Sequence, residues 1–143
     1  MHSFVLEAVP NPEESREIAR RAVLILKKFI LDENILHDID LVLTEACSNV
    51  ARHAYEKITD CNKLELKIEI FPPDHVILEI ADWGKGLCSE SIDFTMPSPD
   101  AVGGRGMFIM SKLMDSFELV KENDKNIIRL TRKIEENQWK TKE

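Results

Sequence analysis

A chain of 143 residues with 43% hydrophobic content can bury one substantial core and has no room for a second ordinary domain. Its formal net charge of −7 argues against direct contact with nucleic acid, which needs a basic surface, and against anionic membranes. The three cysteines, Cys47, Cys61 and Cys88, show no Cys-x-x-Cys spacing, which argues against a disulfide framework or zinc site and suits a reducing cytoplasm.

Ser3 to Val9 alternates as a strand, and Pro10, Asn11 and Pro12 break it. No basic stretch leading into an apolar core is present, and no apolar run approaches the roughly 18 residues of a membrane span, so neither export nor spanning is expected. A helix is expected from Glu13 to about Leu31, its acidic start and its Lys27 and Lys28 end both suiting the helix dipole. A second helix is expected from about His37 to Lys57.

Leu64, Leu66, Ile68 and Ile70 alternate with Glu65, Lys67 and Glu69, and Pro72-Pro73-Asp74 turns this strand into the next, His75 to Ala81. Met96 to Asp100, with its two prolines, is expected to be a mobile lid. Met107 to Met114 places apolar residues at 107, 108, 110, 113 and 114, the pattern of a buried helical face. Segments 117–121 and 126–132 read as a closing hairpin. The Glu- and Lys-rich stretch from Glu135 to Glu143 reads as a frayed tail, which sets the domain at residues 1–134 and the tail at 135–143. Exposed Trp139 would then mark a partner contact or a tail docked on the domain. Helices on one face of a mixed, mainly antiparallel sheet make an α+β two-layer sandwich.

Three groups of residues in this framework carry chemistry. Glu45, Asn49 and His53 recur every four residues, so a helix stacks them on one face. Asn49 offers a hard amide oxygen suited to Mg²⁺, and Glu45, one turn away, can orient or deprotonate an attacking hydroxyl. Arg52 lies on an adjoining face, either for a phosphate oxygen or as a solvated helix charge.

Asp82 stands at the end of the 75–81 strand, where a carboxylate can accept a hydrogen bond from the exocyclic amine that distinguishes adenine from guanine. Gly84 and Gly86 then let the chain fold over a flat base. Gly103, Gly104 and Gly106 open the Met107 helix, where free N–H groups favour phosphate and Arg105 adds a full charge. The glycines match neither the dinucleotide fingerprint nor the P-loop. Together the groups describe a site for ATP and Mg²⁺.

The ordered set resembles the GHKL ATPases, the relatives of gyrase, Hsp90, histidine kinases and MutL. Within them it is similar to the stand-alone serine kinases that act as anti-sigma factors in partner-switching systems. Glu45 to Tyr55 resembles that family's asparagine box, Asp82-Trp83-Gly84-Lys85-Gly86 its first glycine box, and Gly103-Gly104-Arg105-Gly106-Met107 its second. The resemblance runs from about residue 3 to 133 and implies a Bergerat-type fold. It also implies ATP bound through Asp82, Mg²⁺ held by Asn49, and Glu45 as catalytic base. Phosphoryl transfer to a serine of a small STAS-type antagonist protein, a homodimer and a sigma factor as a further partner complete what it implies.

Two departures from the family pattern stand out. Only 16 residues, Leu87 to Val102, separate the glycine boxes, which implies a short lid. The last strand begins at Asn126 without the Gly-Thr that many relatives carry there, leaving an adenine-side hydroxyl contact without its residue. No phospho-accepting histidine helix precedes the module, and His37 reads as a surface or capping residue. Two rival readings belong to other classes: a protein-binding module gated by nucleotide without chemistry, and an ATPase whose hydrolysis drives a conformational cycle.

Overall fold

The structure, a computed structural model, describes residues 1–54, 63–84 and 104–140. The lid at Met96–Asp100, Gly86, Gly103, Cys61, Cys88 and the expected helix end at Lys57 lie outside these residues, as do the side chains of His53, Arg105 and Met107. Five strands form one sheet: β1 (His2–Ala8), β2 (Leu64–Phe71), β3 (His75–Asp82), β4 (Ser116–Glu122) and β5 (Lys125–Lys133). Their spatial order is β1-β2-β3-β5-β4, and every pairing among the described residues is antiparallel. Among the described residues three α-helices, α1 (Pro12–Leu26), α2 (Glu33–Asn49) and α3 (Gly104–Leu113), complete the expected α+β architecture.

The period-two pattern decides which face is covered. Leu64, Leu66, Ile68 and Ile70 of β2 are fully buried, and they share a core with Leu78 and Ile80 of β3, Leu130 of β5, and Ile18, Ala22, Leu26, Ile39 and Leu43 of the helices. The register continues these rows across the sheet, Ile68 pairing with Leu78 and Leu78 with Leu130. On the opposite face Glu79 of β3 accepts from Arg129 of β5 at 2.7 Å and lies 4.0 Å from Lys67 of β2.

Capping sets the start of both long helices. Oδ1 of Asn11 accepts from the Glu14 N–H at 2.7 Å, with Pro12 in the first turn. Oδ1 of Asp32 accepts from the Asn34 and Ile35 N–H groups at 2.8 and 3.2 Å, so α2 begins at Glu33 and not near His37. The first helix stops at Leu26, short of the expected Leu31, because the chain turns there to bury Ile30.

The expected fraying of the tail does not describe residues 135–140. Glu136–Gln138 forms a single 3₁₀ turn, Trp139 is only 5% exposed, and it forms an antiparallel bridge with Ile30. The carbonyl of Gln138 accepts from Leu31 and Asp32, and the Gln138 side chain donates to Oδ2 of Asp32 at 3.1 Å. Trp139 explains the docking: its large apolar ring finds a place in the core, and its Nε1 donates to the Ile134 carbonyl at 3.1 Å.

Candidate functional site

Arg132, near the end of β5, fixes the direction of three elements. It donates to Asp38 near the start of α2 at 3.3 Å and to the carbonyl of Leu113, the last residue of α3, at 2.6 Å. From that anchor α2 runs back over the sheet, since Ile39, Val42, Leu43, Ala46 and Cys47 are all fully buried, and α3 lies over it through buried Met110. The path from Asp38 to Asn49 is about 16 Å, and that from Arg132 back to Asn126 along β5 is about 20 Å. The end of α2, the start of β5, the end of β3 and the glycine-rich start of α3 therefore face the same end of the domain.

Ser15, Asn49 and Asp82 are the buried polar or charged side chains among the described residues. Two of them stand at this end. Asp82 is 6% exposed, and its Oδ1 accepts from the Gly84 N–H and from Nδ2 of Asn126, both at 3.0 Å. Burial pushes its carboxyl above the usual value of 3.8, and these two donors pull the other way. Asn126 also donates to the Gly84 carbonyl at 3.0 Å, tying the first glycine box to β5. Trp83, 38% exposed, lies under two ammonium groups, Lys63 at 5.1 Å and Lys125 at 5.6 Å from its ring centroid.

Asn49 closes α2 and is 2% exposed, and its Nδ2 is buried without a hydrogen-bond partner among the described residues. Its Oδ1 accepts from Nη2 of Arg52 at 2.5 Å, and the same nitrogen lies 4.0 Å from Glu45. Arg52, whose side chain is 42% exposed, thus touches both Asn49 and Glu45 on its own helix. Three residues along a helix is as close a spacing as four, and a long helical side chain leans back toward the preceding turn. Residues Val50–Ala54, which hold Arg52 and the backbone of His53, form a π-helical turn, a form frequent at functional sites. Cys47, one turn before, is fully buried; burial pushes its thiol up to about 12, so it joins the core.

Gly104 and Gly106 lie in the first turn of α3, as expected. No local signal in the sequence marks Asn126, Lys63 or Lys125 as part of this end of the domain, or Arg132 as the anchor at the other. Only the register Asp82 opposite Asn126 exposes the first, and that pairing spans 44 positions of sequence. A hollow of about 540 Å³ lined by Lys27, Leu31, His37 and Lys140 lies by the start of α2, away from these residues.

Comparison with known proteins gives these residues a context. The serine-protein kinase RsbW of Staphylococcus epidermidis is 29% identical over 101 residues, covering 62% of this chain and 60% of that protein. RsbW of Halalkalibacterium halodurans is 26% identical over 111 residues, covering 72% and 65%. The chain spans about three fifths of the length of the curated relatives it matches. Among solved structures, the Erythrobacter litoralis EL346 blue-light activated histidine kinase superposes with a TM-score of 0.59 at 13% identity, over 76% of this chain and 33% of that one. The mycobacterial sensor histidine kinase MprB gives 0.55 at 10% identity, over 92% and 99%. These two likenesses carry the fold. The histidine kinase-like ATPase domain matches residues 8–132, nearly the whole chain, and this protein belongs to that family.

Proposed function

We propose that this chain is an ATP-dependent serine/threonine-protein kinase of the anti-sigma type that phosphorylates a STAS-type antagonist protein in a partner switch. The observation that carries the reading is the pair of buried polar side chains, Asn49 and Asp82, at the end of the domain where α3 begins. Burying such groups is unfavourable unless they find partners, and a fold that keeps two of them beside a glycine-opened helix is suited to a polar ligand.

The residues fit ATP and Mg²⁺. Asp82 keeps an acceptor for an exocyclic amine, Asn49 supplies a hard oxygen, and its buried Nδ2, without a partner among the described residues, is a polar group suited to a ligand. In this reading Asp82 selects adenine, the N–H groups opening α3 together with Arg105 hold the terminal phosphate, and His53 and Met107 line the site. Gly84 and Gly86 let the chain lie close to the base, and Gly103, Gly104 and Gly106 let it lie close to the phosphates. When bound, Mg²⁺ on Asn49 supplies charge neutralisation at the phosphates. Glu45 takes the proton of the acceptor serine as its oxygen bonds to the γ-phosphorus and the bond to ADP breaks. The relatives named serine-protein kinase support the chemistry. The reading also has the protein working as a cytoplasmic homodimer that meets a sigma factor through protein contacts. Among the described residues no helix is long and apolar enough to cross a membrane.

The test is to incubate the purified chain with Mg²⁺ and γ-labelled ATP in lysate of its source cell, beside a Glu45→Gln control. A small protein labelled on serine only in the presence of Glu45 is the expected result. Absence of label with ATP binding intact would leave a nucleotide-gated binding module instead.

A further inference from the structure

We propose that Arg52 is a stand-in cation that occupies the metal-binding oxygen of Asn49 and releases it when nucleotide arrives, so that Arg52 sets how much Mg²⁺ the site needs. The inference rests on the assignment of Asn49 to Mg²⁺.

Nη2 of Arg52 reaches Oδ1 of Asn49 at 2.5 Å, a charge-assisted contact, and lies 4.0 Å from Oε2 of Glu45. One guanidinium therefore faces both the group assigned to the metal and the group assigned to proton transfer. Asn49 serves poorly as a mere structural tie: its acceptor is engaged by a full charge, while its buried Nδ2 has no partner among the described residues. A divalent cation coordinates oxygen at about 2.0–2.1 Å, so two cations on one amide oxygen repel at close range. Arg52 must swing away before the metal is seated.

It is free to do so. The Arg52 side chain is 42% exposed and sits on the π-helical turn, whereas Asn49 is buried and fixed. Phosphate oxygens of an incoming nucleotide offer the guanidinium a stronger partner than a neutral amide. Nucleotide thus binds first and the metal follows. Because only the fraction of molecules with Arg52 withdrawn can seat the metal, the apparent metal affinity is reduced by that fraction.

The experiment is equilibrium dialysis of labelled ATP against the native chain, Arg52→Ala and Arg52→Lys over a range of Mg²⁺ concentrations. The native chain is expected to retain ATP with a Mg²⁺ half-point about tenfold higher than that of Arg52→Ala, the size expected for one charge-assisted contact. Arg52→Lys, which keeps the charge, is expected to return toward the native half-point. An unchanged half-point in Arg52→Ala, with ATP retained less well at every Mg²⁺ concentration, would overturn the proposal and make Arg52 a phosphate ligand only. A native chain that retains no ATP at any Mg²⁺ concentration would overturn the Mg-ATP reading and this inference with it.

Discussion

Asn126 stands opposite Asp82 across the β3–β5 register and donates one amide hydrogen to the Asp82 carboxylate at 3.0 Å and the other to the Gly84 carbonyl at 3.0 Å. Both donors of the amide are spent on holding the first glycine box. The pair has a consequence for pH. In the proposed function an adenine amine needs the carboxylate, and burial raises the pKa of Asp82 above 3.8, so ATP binding should be lost on acidification at a higher pH than an ordinary aspartate would give. The Asn126 donor holds that pKa down. Asn126→Ala should move the acid midpoint of ATP binding upward, measured as affinity against pH; an unmoved midpoint would detach Asn126 from the carboxylate.

Asp82 also sets a stability difference of definite sign. Its folded-state pKa lies above the unfolded value, so the folded chain binds more protons between the two, and the carboxylate disfavours folding at neutral pH. That burden lifts as pH falls through the folded pKa. Asp82→Asn keeps an oxygen for Gly84 and Asn126 yet removes the buried charge. The variant should be at least as stable as the native chain in urea at pH 7 while binding no ATP. Stability lost together with binding would mean that Asp82 is chiefly structural.

The segment after Ile134 is part of the fold. Trp139 is 5% exposed and bridges Ile30, and Gln138 bonds the residue that caps α2. Trp139→Ala should destabilise by about 3–5 kcal/mol, the range for large aromatic residues removed from a core. A urea midpoint within about 0.5 kcal/mol of native would show that the tail adds little.

Glu45 is assigned to proton transfer and not to nucleotide affinity. Glu45→Gln should therefore keep ATP binding within a few-fold and slow transfer by about 10²–10⁴. Single-turnover transfer from labelled ATP reads this directly, and full transfer by Glu45→Gln would remove it as the base.

Much of this was legible along the chain, because period-two alternation and glycine placement are local signals. Leu64 to Ile70 and Val76 to Ile80 declared their buried face, and the Gly104 opening of α3 fell where the glycines put it. The start of α2 was also locally encoded, in Asp32 followed by Glu33, but the apolar period beginning further on masked the cap. What the sequence concealed was non-local. The pairing of Asp82 with Asn126 and the bridge of Ile30 to Trp139 both depend on strands and segments far apart in the chain. The polar composition of Glu135 to Glu143 hid one aromatic ring sufficient to dock it. Arg52 was read by its face of the helix, whereas its length decides what it touches.

The most direct test of the Mg-ATP site is calorimetric titration of ATP into the native chain and Asn49→Ala, each with Mg²⁺ and with chelator. The native chain should bind with a clear Mg²⁺ dependence that Asn49→Ala lacks, both proteins remaining folded. Equal, metal-dependent binding by a folded Asn49→Ala protein would contradict the site as described.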